Sequence, residues 1–223
     1  MIIYHGSNKI ISQPVFGQGK KYNDYGQGFY CTESLEMAKE WAVREHQSGF
    51  ANCYEIDETA LAVLNLNAEP YNTLHWLTML LQNRKFDANS TLAVEAKAYL
   101  ISTFDLDFSK YDLIKGYRAD DSYFSFAQDF LNGTISYRQL TNAMHLGKLG
   151  EQIMIKSKKA FARISFKGYE IAEWEEYYAK KQLRDRKARH QYFDTERNRR
   201  RKDDLFIIHL LDEEVKPDDP RLR

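Results

Sequence analysis

Apolar positions recur along the chain in two periods. Short apolar or alternating runs at 2–5, 29–32, 52–57, 62–66, 111–114 and 152–155 predict strands. Leu35, Ala38, Trp41 and Ala42 fall at helical spacing instead. Ser34 is a good N-cap for that helix, and Glu33 and Glu36 suit its dipole. A second helical set, Trp76, Leu77, Leu80 and Leu81, has its cap near Asn72 or Thr73, and a third helix starts near Ser90. Residues 122–131 and 136–145 predict two more helices, and 160–166 predicts a helical turn or a further strand. Four of the eleven glycines lie between Gly17 and Gly28, so 8–28 reads as a loop. From 169 to 216 there is neither Gly nor Pro, which predicts helix, and 205–211 is apolar enough to dock back onto the body. Strands and helices interleave without regular βαβ spacing. The pattern therefore predicts an α+β fold rather than a doubly wound parallel sheet.

Composition narrows the class. The 223 residues carry 32 Lys+Arg and 32 Asp+Glu, and this zero balance excludes a globally basic nucleic-acid coat. With 43% hydrophobic residues the chain is not disordered by composition. Aromatics reach 14%, which suits sheets or a stacking site. No apolar run approaches the ~18 residues of a membrane span. Met1-Ile2-Ile3-Tyr4-His5 has no basic, apolar signal character. Cys31 and Cys53 form neither a metal motif nor a disulfide framework, so a reducing cytoplasm is the expected compartment. The charge is unevenly spread: residues 180–202 hold eleven Lys/Arg against three acids, a local +8 balanced by −8 elsewhere. Aromatics flank this segment, and its middle reads as a solvated, protruding helix face. A nucleic acid, an acidic protein partner and the acidic body of the chain itself are the competing contacts.

Common signatures are missing: no CxxC, no HExxH, no GxxxxGK[ST]. The pairs Gly17-Gln18-Gly19 and Gly26-Gln27-Gly28 do not complete GxGxxG. Another constellation remains. His5-Gly6-Ser7 ends the first strand, Tyr25-Gly26-Gln27-Gly28-Phe29-Tyr30 enters the second, Trp41 lies eleven residues after Tyr30, and Gly150-Glu151-Gln152-Ile153-Met154-Ile155 is a late strand. An imidazole can meet a ribose hydroxyl, and bare Gly backbone can approach a flat amide. The Ser7 hydroxyl adds a polar contact. Two aromatic walls can hold a planar ring, at about 1 kcal/mol per face. The competing reading of Tyr30 and Trp41 is ordinary core packing.

These motifs resemble the ADP-ribosyltransferase superfamily, in its His-Tyr-Glu branch with diphtheria toxin and the poly(ADP-ribose) polymerases. The chain is most similar to an uncharacterised bacterial branch with Y-H-G-S, G-x-G-F-Y, A-D-D (here Ala119-Asp120-Asp121) and Q-I elements. The likeness spans about residues 1–166. It implies two small antiparallel sheets around an NAD cleft in a catalytic domain at 1–168. A helical insertion at about 72–104 and a basic helical extension at 169–223 would complete the chain. It further implies mono-ADP-ribosyl transfer from NAD to a macromolecular acceptor, protein or nucleic acid, without metal, in a toxin or toxin–antitoxin setting. His5, Gly6, Ser7, Tyr30 and Trp41 would bind NAD. Glu151 or Gln152 would act on the nicotinamide ribose, with His5 and Tyr30 assisting. Strand neighbours face opposite ways, so only one of Glu151 and Gln152 can enter the cleft. Glu151 is the favoured one, and with Gln152 the reaction would be slower or would lean on Asp120 or Asp121. The alternative is a catalytically weak NAD- or ADP-ribose-binding module, or an NAD glycohydrolase, with the tail at 180–202 contacting nucleic acid or an antitoxin. If the tail binds nucleic acid, affinity should fall steeply with salt, with a log–log slope of roughly −0.7 to −0.9 per phosphate neutralised. Charge reversal at Arg199, Arg200 and Arg201 should remove most of that slope in a filter-binding titration. Salt-independent or undetectable binding would refute the nucleic-acid contact.

Overall fold

Strand β1 (Ile2–Ser7) pairs antiparallel with β3 (Gly49–Ile56), which pairs antiparallel with β7 (Ile164–Ala172). A second sheet has the order β2 (Phe29–Cys31), β6 (Glu151–Ile155), β5 (Leu113–Tyr117), β4 (Val63–Asn65). It is antiparallel except at the β4–β5 edge. These elements come from a computed structural model described over residues 1–86, 88–119, 121–146 and 150–223, and over backbone alone for 121–123. Among the described residues the sheets meet at one bridge, where Tyr4 and Thr32 exchange N–H···O bonds of 2.8 and 2.9 Å.

The helices start where their caps predict. Ser34 accepts from Met37 N at the head of α1 (Leu35–Ala42). Asn72 and Ser90 cap α2 (Thr73–Asn83) and α3 (Thr91–Phe104) in the same way. After α4 (Asp121–Leu131), Ser136 caps α5 (Tyr137–Met144). Helix α1 lies directly on β1, because Gly6 has no Cβ to collide with Ala38 O and Ala42 N. The fold is α+β, as the interleaved pattern predicts.

Helices α2 and α3 do not sit at the margin as an added insertion would. Trp76 is 1% exposed, and Leu74, Leu77 and Leu80 are fully buried with Phe126 and Phe130 in the main core. A smaller cluster, with Ile3, Tyr54, Ile153 and Ile155, fills the space between the sheets.

The C-terminal third departs from expectation. Residues 160–166 hold both predicted elements: α6 (Lys158–Phe161) closes and β7 begins at Ile164. Half-buried Ile164 and Phe166 alternate with exposed Ser165 and Lys167, a period of two that keeps the chain in the sheet. The strand continues to Ala172, so the expected boundary at 168/169 falls inside β7. Helix α7 (Trp174–Asp194) then runs for 21 residues, a 3-10 turn follows at Glu196–Asn198, and α8 (Ile207–Asp212) docks through Ile207 and Leu210. Among the described residues no helix is long and apolar enough to cross a membrane.

Helix α7 is not a protruding arm, and this corrects the expectation of a solvated middle. Tyr177, Ala188 and Tyr192 are buried. Arg184 makes a two-pronged contact to Glu40 of α1, at 2.6 and 3.0 Å, and Glu40 is 2% exposed. Lys180 reaches Glu36 at 3.2 Å, and Tyr192 donates to Asp129 Oδ2 at 2.6 Å. The helix carries little apolar surface, so complementary charge supplies what an apolar stripe would otherwise provide.

Removing one partner of a buried pair leaves the other charge unsolvated. Arg184→Ala should therefore destabilise the protein by about 3 kcal/mol. A Glu40→Leu/Arg184→Leu double variant should recover most of that, because no charge is stranded. Urea denaturation checks both. Equal losses in the single and double variants would show that the cost is packing rather than stranded charge.

Candidate functional site

Past the Tyr4–Thr32 bridge, β1 and β2 stop pairing through the backbone. The His5 side chain crosses the gap instead, with Nδ1 2.6 Å from Tyr30 O. A carbonyl can only accept, so Nδ1 carries the hydrogen and Nε2 of the neutral ring is an acceptor. The ring stacks on Phe29, centroids 4.3 Å apart. Burial lowers the His5 pKa from its ordinary value of 6.5, only partly opposed by the bond to Tyr30. Tyr4 directs its N–H and C=O toward Thr32, and strand alternation gives Gly6 the same edge, beside the gap. Ser7 Oγ accepts from Lys9 N.

The gap opens into a cleft of about 740 Å³ lined by His5, Gly6, Ser7, Tyr30, Trp41 and Gln152. Each comes from a different constraint. The Tyr30 hydroxyl donates to Gly26 O at 2.6 Å and accepts from Tyr25 N at 3.0 Å, which ties the glycine loop to β2, and the half-buried rings of Tyr30 and Trp41 pack against the main core as well as lining the cleft. Trp41 rides on α1, with the Arg118 guanidinium 4.7 Å from its ring centre. Its Nε1 is buried without a hydrogen-bond partner.

The late strand shows the other face to the cleft from the one favoured by sequence. Gln152 is 3% exposed and lines the cleft. Glu151 is exposed, does not line the cleft, and accepts from Asn67 Nδ2 at 2.7 Å. The alternation is fixed by β6 pairing: Gln152 opposes Gly116, and Glu151 opposes Tyr117. Asp120 lies outside the described residues, as does the side chain of Asp121.

Two polar residues of the site carry no local sequence signal. Asp24, 6% exposed in the cleft, accepts from Gln152 Nε2 at 2.8 Å and from Ala119 N at 3.0 Å through Oδ2. Burial raises its pKa, against the opposing hydrogen bonds from Gln152 and Ala119 and the charges of Arg84 and Arg118. Fully buried Asn52 accepts from Ile11 N at 2.8 Å and donates to the carbonyls of His5 and Lys9. It holds the start of the loop against the end of β1. A polar residue in β3 and an Asp inside a loop look like surface residues until their partners are known.

The sequence profile of a family described as a protein of unknown function, DUF3990, matches residues 1–166. The chain belongs to the DUF3990 family. No curated protein and no solved structure matches it. The DUF3990 region contains β1 to β6 and all the cleft residues named above. It ends inside β7, before α7. Yet Lys181, Gln182, Asp185 and Arg189 of α7 also line the cleft.

The unfolded chain protonates its histidines near 6.5, whereas burial keeps His5 and His75 neutral to lower pH. Stability should therefore be complete above about pH 6.5 and should fall as pH drops below it, because the unfolded state takes up protons first. His5→Gln should flatten this acid slope, with His75 supplying what remains. Denaturant midpoints taken between about pH 8 and about pH 5.5 check it. An unchanged slope in the variant would mean that His5 is solvated.

Proposed function

We propose that the cleft binds NAD⁺ and that the protein transfers ADP-ribose from it to a macromolecular acceptor. One observation carries this reading: residues from four separate segments, named by their resemblance to ADP-ribosyltransferases, line a single cleft. The His5 Nε2 lone pair suits a ribose hydroxyl. The Gly6 backbone edge suits a carboxamide, which needs both a donor and an acceptor. The faces of Tyr30 and Trp41 suit a planar ring.

In the reaction the bond between ribose C1′ and nicotinamide breaks, and the electron pair leaves with nicotinamide. An acceptor nucleophile forms the new bond to C1′ and loses its proton. The positive charge that develops on the ribose needs a fixed negative or dipolar partner. Gln152 supplies an amide dipole there, and Asp24 places a carboxylate directly behind it. The Gln in place of a Glu favours a second reading, an NAD- or ADP-ribose-binding module with little turnover.

Purified protein incubated with NAD⁺ labelled in the adenylate should release nicotinamide and transfer label to macromolecules in a lysate. Release without transfer indicates a glycohydrolase, and binding without release indicates the module. Trp41→Ala should weaken NAD⁺ binding by about fivefold to tenfold, one stacked face. Gln152→Ala, which also releases the Asp24 contact, should lower both turnover and NAD⁺ affinity, turnover by at least about tenfold, and Glu151→Gln should change neither. The reverse outcome for Gln152 and Glu151 would refute the assignment of the cleft face.

A further inference from the structure

Helix α7 presents two different faces. Tyr177, Arg184, Ala188 and Tyr192 form the face that docks on the body. Lys181, Asp185 and Arg189 follow one another at four-residue steps, so they form a stripe beside it, and all three line the cleft. They are half-buried, whereas Arg186 and Lys187 of the same helix are exposed. Arg189 Nε bonds Asp185 Oδ2 at 2.9 Å, which fixes the guanidinium in one orientation.

The stripe faces a cleft whose lining has an excess of cations over carboxylates. Among the described lining residues, Lys20, Arg44, Arg84, Arg118, Lys181 and Arg189 stand against two carboxylates, Asp24 and Asp185. A concave surface lined by such a set focuses its field and favours a ligand with more than one negative charge, although Lys20 and Arg44 are exposed at its rim. An uncharged sugar or a lone nicotinamide would gain nothing from it. Planar guanidinium groups and lysine ammonium groups are the side chains that bind phosphate oxygens. The wall is also firmly held, by Arg184 on Glu40 and by Tyr192, whose ring lies 3.9 Å from that of Phe126. A pre-positioned cation costs less ordering on binding than a mobile one.

We propose that α7, which lies beyond the DUF3990 match, completes the binding site, and that Lys181 and Arg189 hold the linked phosphates of a nucleoside diphosphate ligand. The inference rests on the NAD⁺ reading for the rest of the ligand. It assigns the basic extension a role in the cleft, with the exposed run at 199–202 left to the surface.

The test is calorimetric titration of the full chain with NAD⁺, ADP-ribose, inorganic pyrophosphate and adenosine. It compares the parent, Lys181→Ala/Arg189→Ala, and the control pair Arg186→Ala/Lys187→Ala, which removes the same charge from the exposed face. The first pair should weaken ADP-ribose binding by tenfold or more, since each charge-assisted contact accounts for roughly tenfold. The control pair should change it less than about twofold, and adenosine binding should be equal in all three. Melting temperatures verify folding, and Arg189→Gln repeats the measurement with a milder change. Equal weakening by both pairs, or by neither, overturns the proposal while NAD⁺ binding by the parent upholds the cleft reading. Pyrophosphate binding that the first pair abolishes, in a parent that does not bind NAD⁺, sustains the cationic wall and refutes the NAD⁺ reading. A parent that binds none of the four overturns both.

Discussion

The carbonyl of Tyr117, at the end of β5, accepts three side-chain donors: Tyr25 Oη at 2.5 Å, Trp76 Nε1 at 2.9 Å and Gln152 Nε2 at 3.2 Å. Gln152 also donates to Asp24. This buried node ties the glycine loop, α2 and the two central strands of the second sheet to one point. Each polar group in it would cost on the order of 1–3 kcal/mol if left without a partner, so the loop is held in one arrangement. The cleft depends on that arrangement. With Asp24 and Tyr25 fixed, Tyr30 is held through its hydroxyl, and His5 can reach Tyr30 O.

The same node explains why a glutamine suits position 152. A carboxylate there would face Asp24 and the Tyr117 carbonyl, with acceptors opposing acceptors. An amide supplies the two donors that the burial requires. Any electrostatic role in the cleft is thereby shared with Asp24, whose charge is in turn opposed by Arg84 and Arg118. The site is a coupled set rather than a single acid on a strand.

Charge does in the C-terminal third what apolar burial does elsewhere. The +8 of residues 180–202 is partly neutralised within the molecule, through Glu36, Glu40 and Asp129. Paired in this way, α7 becomes a wall of the cleft while its exposed side keeps the rest of the charge.

The first six strands, the caps and the α+β class were legible in the sequence, because they follow from local periodicity and from Ser or Asn at helix starts; β7 was not, since it runs on to Ala172 where the lack of Gly and Pro had predicted helix. The motif residues His5, Gly6, Tyr30 and Trp41 were singled out by their resemblance to a family pattern, and the fold brings them to one cleft. Three features depended on contacts between distant segments. Which of Glu151 and Gln152 faces inward is set by pairing with β5, since alternation alone offers two equal choices. Asp24 and Asn52 acquire a role only through partners such as Gln152, Ala119 and Ile11. The docking of α7 is decided by carboxylates more than 140 residues away in α1, and a helix with little apolar surface carries no periodic signal of what it will cover.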